Sequence, residues 1–290
     1  MWTIKKFRLL ISPKEDELLR IQNTHKIPER FLTDPMDPEE RARMEVDEDA
    51  LLIIVRVPIK VRHLEYKAVP LGIIFKNGDL FVISPSPSQV SGVIESWTEY
   101  ITSINFKSFI LRVFSRTVVS FLQTLREINQ RLDKYEKELY KSMRNQELFN
   151  LLTIEKSLVY LTTALKSNEI LLERIIRSKL FSWEIEEKES LEDVIIDNRQ
   201  ALEMAKTYTD ILVGTMDAFA SIISNNLNIV MKVLTSLTVV LMFPTLVASF
   251  YGMNVHLPLQ ENPMAFHYIF WGSMGVSVAL IFLFRKLGLF

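Results

Sequence analysis

The chain has 290 residues, 24% of them charged, with 34 basic and 35 acidic side chains and a formal net charge of −1. That balance leaves no electrostatic footprint for nucleic acid or for an acidic membrane surface, and the charged fraction excludes a bundle wholly immersed in lipid. With no cysteine, disulfides and thiolate metal sites are excluded as well.

The N-terminal stretch Met-Trp-Thr-Ile-Lys-Lys-Phe lacks the long apolar core of a secretory signal. Residues 1–105 read as a small cytoplasmic α/β domain. Leu51 to Val57 is short, apolar and β-branched and ends at Pro58, the pattern of a buried strand. Val69–Phe75 and Leu80–Ile83 read as two more strands, joined through the turn signal Asn77-Gly78. Pro35 and Pro38 mark a loop or a short helix entry, and the breaker cluster Ser84-Pro85-Ser86-Pro87-Ser88 starts the passage to a helical region.

Residues 106–189 then turn helical. Leu122, Leu125, Ile128, Leu132, Tyr135 and Leu139 recur at spacings of three and four, and Leu151, Ile154, Leu158, Leu161 and Leu165 do the same over 146–177. Two long helices joined by a short turn predict an antiparallel hairpin. Ser190-Leu191-Glu192-Asp193 resembles a capping box, and from there to Phe250 the only breakers are Gly214 and Pro244. One continuous helix of about 60 residues would be roughly 90 Å long.

The end of the chain is a different material. Ile229–Phe250 and Met264–Phe284 are apolar runs of roughly 22 and 21 residues, each long enough to cross a hydrocarbon core as a helix. We delimit 190–228 as the cytoplasmic part of a stalk helix, 229–251 and 264–284 as transmembrane helices, 252–263 as the loop between them and 285–290 as a tail. Lys232, Arg285 and Lys286 flank the spans, and the loop holds Glu261 but neither lysine nor arginine. The positive-inside rule places both termini in the cytoplasm and the loop outside, and with no secretory signal the hairpin itself must direct insertion into the lipid bilayer.

Along the stalk and first span, Asp217, Ser221 or Ser224, Asn228, Met231, Leu234 or Thr235, Thr238, Met242, Thr245 and Ser249 form one drifting face of a helix. Polar side chains in lipid face protein or a water-filled cavity, although Ser and Thr hydroxyls also bond back to their own helix. Two spans cannot enclose a channel, so a pore requires a ring of copies.

Tyr251-Gly252-Met253-Asn254, following Pro244-Thr245-Leu246-Val247-Ala248-Ser249-Phe250, resembles the signature of the CorA family of divalent metal-ion (magnesium/cobalt) transporters, whose superfamily includes zinc transporters. Asn228-x-x-Met231-Lys232-x-Leu234-Thr235 adds to the resemblance, which is sharpest over 190–290. It implies an α+β fold in which the stalk helix runs into a C-terminal two-helix transmembrane hairpin, assembled as a homopentameric funnel in the cell inner (plasma) membrane. It implies transport of hydrated Mg2+, with Co2+, Ni2+ or Zn2+ as further cargo. Gly252, Met253 and Asn254 are the implied selectivity filter, with Gly252 allowing a tight turn and Asn254 presenting amide oxygens. Asp217, Asn228, Met231, Leu234, Thr238, Met242, Thr245 and Tyr251 are candidates for the pore lining. Glu261 is the acid that would attract cations in the outer loop. Regulatory Mg2+ is implied between neighbouring subunits, at Asp193 with Glu48 or Asp49; the stretch Asp47 to Asp49 reads equally as a solvated turn.

The sequence departs from the family in its tail, where Arg285 and Lys286 stand in place of a longer basic run. His256 and His267 flank the loop and read as ordinary polar residues rather than a zinc site. No glycine-rich phosphate loop, nucleophile elbow or paired histidine motif is present, so the chain is not read as an enzyme. Two alternatives remain: a zinc transporter of the same superfamily, proton-coupled or not, and a membrane-tethered sensory or structural protein, which would carry no polar stripe in its span.

Overall fold

The computed structural model describes residues 2–62, 64–99, 101, 104–142, 145–259 and 261–288, without the side chains of 140–142. The chain divides into two compact units, Met1–Gly214 and Thr215–Phe290.

The first unit is built on a five-stranded sheet. β1 (Lys6–Ile11), β2 (Arg43–Asp47), β3 (Ala50–Lys60), β4 (Tyr66–Lys76) and β5 (Asp79–Ser84) stand in the order β1-β5-β4-β3-β2. β1 pairs parallel with β5 and every other pairing is antiparallel. α1 (Glu15–His25), α2 (Glu29–Thr33) and a 3-10 turn (Asp34–Met36) pack on one face, and α3 (Gln89–Ser96), α4 (Phe106–Ser142) and α5 (Asn145–Arg177) follow the sheet in sequence.

The sheet is covered on both faces, which explains its sequence. Leu52, Ile54, Ile74, Phe81 and Ile83 point into the layer with Ile21, Phe31 and Leu32. Leu51, Ile53, Val55, Ile73 and Val82 point the other way, into the layer with Phe109, Val113 and Leu172. A strand buried on both faces reads as an unbroken apolar run rather than an alternation, and that run marked β3, β4 and β5. Gly72 lets the 3-10 turn approach, since a Cβ there would lie 2.4 Å from Pro35 Cγ.

Two of the boundaries read from sequence move. Pro58 does not end β3, which continues to Lys60. β2 stops pairing at Ile54 and β5 stops pairing with β4 at Gly72, so beyond those points β3 and β4 are a two-stranded ribbon. The side vacated by β2 is taken by Asn168 of α5, which accepts from Arg56 N at 2.8 Å and donates to Arg56 O at 2.9 Å. Pro58, two residues on, turns its missing N–H to that same side, where no strand requires it. Pro70 is opposite Arg56, and its carbonyl accepts from Ser84 Oγ.

The breaker cluster does what its sequence implies: Ser88 caps α3, exchanging hydrogen bonds with Ser91 in a capping box. The two apolar stripes are buried, Leu122 only partly, and residues 143–144, where the turn between α4 and α5 was expected, lie outside the described residues. The long helix α6 spans Ile185–Tyr251, 67 residues, with Pro244 inside it. Ser190 does not start it: its hydroxyl bonds back to Glu186 O, and the cap at the entry is Glu187, whose carboxylate accepts from Glu184 N. Up to Gly214 the helix belongs to the first unit, where Asn198 donates to Leu165 O and Arg199 pairs with Glu169 and Glu173 of α5.

The second unit holds the remainder of α6, the loop and α7 (Ala265–Lys286). Both helices are long and apolar enough to cross a membrane. Four residues of the two spans are buried, Ser236 and Val240 on α6 and Ser273 and Ser277 on α7. Each pair is four residues apart, so one small-residue edge meets another. Of the small residues Gly272, Ser273 and Gly275 and the neighbouring Met274, which the sequence offers for close packing, Ser273 is buried, while the glycines face open space and Met274 is exposed.

Candidate functional site

Pro244 shapes the hairpin. Without an N–H it cannot bond the carbonyl four residues earlier, that of Val240. Ser277 Oγ of α7 donates to that carbonyl at 3.2 Å. In an apolar surrounding every backbone group must find a partner inside the protein, so the proline creates the vacancy and the facing helix fills it. The contact fixes which edge of α6 is turned toward α7.

The predicted stripe lies on the other side. At about 100° per residue, Met231, Leu234, Thr238, Met242, Thr245 and Ser249 fall within roughly 40° of the line opposite the Ser236–Val240 edge. Asn228 and Asp217 flank it, roughly 60–80° off. All eight are exposed in the single chain. Thr238, Thr245 and Ser249 donate to Leu234 O, Leu241 O and Thr245 O at 2.8, 2.9 and 2.8 Å. Their protons are therefore committed to their own helix, and each hydroxyl oxygen offers only lone pairs outward.

Tyr251 is not part of this stripe. It sits about 40° from the Ser236–Val240 edge, in a cleft with Phe266 and Phe270 that Thr245 also borders, and its hydroxyl donates to Pro258 O at 3.1 Å. The bond ties the end of α6 to the loop. Gly252 lies in a tight turn at the helix end, where its N–H reaches Ala248 O at 2.9 Å and Ser249 O at 3.2 Å, and it is not among the residues with positive φ. The helix therefore ends there without a left-handed turn. Met253 and Asn254 follow, both exposed. Among the described residues the Asn254 amide makes no hydrogen bond within the chain, so its donors and acceptor are free for other groups. Glu261, His256 and His267 are likewise exposed and are brought into no cluster of three or more metal-ligating side chains among the described residues.

The carboxylates of the first unit fall in two places. Glu48 and Asp49 are the two-residue turn between β2 and β3, with Glu48 at φ 51°. Asp193 is exposed on α6 and lines a different cleft with Arg112, Arg116, Glu186 and Asp197. Among the described residues Asp193 and the turn line separate clefts. Sequence reasoning missed Lys76 and Asn77, which hold the turn: Lys76 Nζ lies 2.9 Å from one Asp49 oxygen and Asn77 Nδ2 lies 2.6 Å from the other. The Asn77-Gly78 hairpin signal pointed to this position for its shape, not for its side chains.

Comparison with known proteins agrees with the motif. The cobalt/magnesium transport protein CorA of Methanocaldococcus jannaschii is 27% identical over 282 residues, 95% of this chain and 88% of that protein. The protein of the same name from Thermotoga maritima is 22% identical over 279 residues, 94% of this chain and 80% of that one. The complete structure of the CorA magnesium transporter from M. jannaschii superposes with a TM-score of 0.83 at 26% identity, covering 97% of this chain and 89% of that chain. The sequence model of the CorA-like Mg2+ transporter proteins matches residues 9–286, and the chain belongs to that family.

Proposed function

We propose that copies of this chain form a ring that conducts hydrated divalent cations, Mg2+ and with it Co2+, across the cytoplasmic membrane. The observation that carries the reading is the stripe of Met231, Leu234, Thr238, Met242, Thr245 and Ser249 on the side of α6 turned away from α7. With α7 outermost, that side faces the ring axis. The pentameric number follows from the family resemblance.

The chemistry suits a cation that keeps its water. Mg2+ dehydrates reluctantly, and its bound waters present hydrogens outward. A wall that receives them needs acceptors, and hydroxyls whose protons are already spent on Leu234 O, Leu241 O and Thr245 O supply acceptors alone. A collar of Asn254 amides adds neutral oxygens at the outer end. Neutral oxygens hold the hydrated ion without the grip of a carboxylate ring, and so let it leave. Met231, Leu234 and Met242 narrow the wall where it is dry, Asn228 and Thr245 lie along the ion path, and Asp217 concentrates cations at the inner mouth. Glu261 draws them to the outer loop. Cytosolic Mg2+ bound between neighbouring copies at Asp193 and the Glu48–Asp49 turn holds the ring shut.

The test is flux. Full-length protein in proteoliposomes should take up Mg2+, with Co2+, Ni2+ and Zn2+ added as competitors and with and without a pH gradient. Asn254→Ala and Asn254→Asp should lower uptake at least tenfold while the assembled species keeps its size. Uptake unchanged in both variants would overturn the filter.

A further inference from the structure

The two carboxylates of the β2–β3 turn are not equivalent. Glu48 stands at the apex with an exposed side chain that has no hydrogen bond or ion pair within the chain among the described residues. Asp49 has both oxygens engaged. One faces Lys76 Nζ at 2.9 Å and the other accepts from Asn77 Nδ2 at 2.6 Å.

Lys76 is no mobile surface lysine. Its side chain is 11% exposed. Its ammonium also donates to Lys26 O at 2.7 Å, the carbonyl of the residue that ends α1 in a left-handed conformation at φ 50°. The charge is thus pinned between the end of one helix and the carboxylate of a neighbouring turn. It holds the Asp49 carboxyl below its usual range. Lys5 brings a second positive charge to the cavity of about 480 Å3 that Glu48, Asp49 and Asn77 line.

A divalent ion at Asp49 would have to displace an ammonium that has its own carbonyl ligand, or tolerate it alongside. The residues at this position therefore do not fit a metal bound through Asp49. We infer that Lys76 is a tethered cation standing where a metal ion would sit, and that Glu48 is the carboxylate of this turn left available to Mg2+. The inference rests on the proposed sensing of Mg2+ at this turn.

The consequence is a set threshold. A fixed positive charge about 4 Å from a divalent ion lowers its affinity by on the order of tenfold in water after screening. The chain would then respond to Mg2+ only at higher concentration than one whose turn had bare carboxylates.

The experiment uses full-length protein and Mg2+ alone, reading the Mg2+ concentration that half-protects the protein from chymotrypsin, which does not cut at lysine. Lys76→Gln should lower that concentration about tenfold, and Lys76→Arg, which keeps the charge, should leave it near the original. Asp49→Asn, which removes a charge but no ligand, should raise it by at most about tenfold, less than Glu48→Gln does, and should abolish the gain in the Lys76→Gln background. A half-point within twofold of the original for Lys76→Gln would overturn the inference. So would an Asp49→Asn variant as weakened as Glu48→Gln. Absence of any Mg2+ response, in both the unmodified protein and Lys76→Gln, would sink this inference together with Mg2+ sensing at the turn. Protection that follows these shifts in a protein carrying no flux would support the inference and overturn only the transport reading.

Discussion

Glu127 shows how a single side chain in the first unit is set by its neighbours. Burial pushes its carboxyl up, but Lys60 and Arg131 each donate to Oε1 at 2.6 Å and together hold it at about 2. The ordinary value of a glutamate is about 4.3. A depressed carboxylate contributes stability that is fully present above the ordinary value and is lost as pH falls through the folded one. Glu127→Gln should therefore flatten the dependence of the unfolding temperature on pH between about 4.3 and about 2. A variant with the same slope as the original would show that Lys60 and Arg131 contribute no stability through this group. Nothing in the sequence announced this cluster. Lys60 and Glu127 are 67 residues apart, and only the pairing of β3 and the rise of α4 bring them together.

At the scale of elements, the sequence was most readable where burial was most complete. β3, β4 and β5 are apolar on both faces and were legible as runs. β1 and β2 were not, because they are the edges: Phe7, Arg8, Glu45 and Val46 are half-buried or exposed, and their pattern is that of a loop. α1 escaped for a similar reason, burying only Leu18 and Ile21 over eleven residues. The start of α6 was misplaced because Ser190 fits two roles and the sequence does not say which; in the fold it is a mid-helix serine bonded to Glu186 O. The hairpin of α6 and α7 makes a prediction of its own. Ser277→Ala should destabilise it by about 1 kcal/mol, the size of an interhelical hydrogen bond in a membrane protein. In a Pro244→Ala background, where an N–H is restored to Val240 O, the same change should cost close to nothing. Thermal unfolding of the four proteins completes the cycle, and equal costs in both backgrounds would show that the proline and the serine are unconnected.

Across the whole molecule, the second unit cannot exist in water as a lone hairpin. Leu237, Leu241, Leu246, Phe250, Trp271 and Phe282 are all exposed in the single chain, far beyond the apolar patch that a soluble monomer carries. In the proposed ring, lipid would cover some of this surface and other copies the rest. Which part belongs to which was only half legible in the sequence. The periodicity grouped the hydroxyls and methionines on one face, but nothing in it showed which edge of α6 meets α7. The bond from Ser277 to the carbonyl above Pro244 supplied that edge, and Tyr251 lies toward it. The proposed assembly turns on this one orientation. The chain has no cysteine of its own, so thiols introduced singly at Thr238, Met242 and Phe282 report it directly, through modification by a water-soluble thiol reagent during Mg2+ uptake by full-length protein in proteoliposomes. The account predicts that the reagent blocks uptake at Thr238→Cys and Met242→Cys and leaves Phe282→Cys unaffected; modification and block at Phe282→Cys, with Thr238→Cys and Met242→Cys untouched, would contradict it.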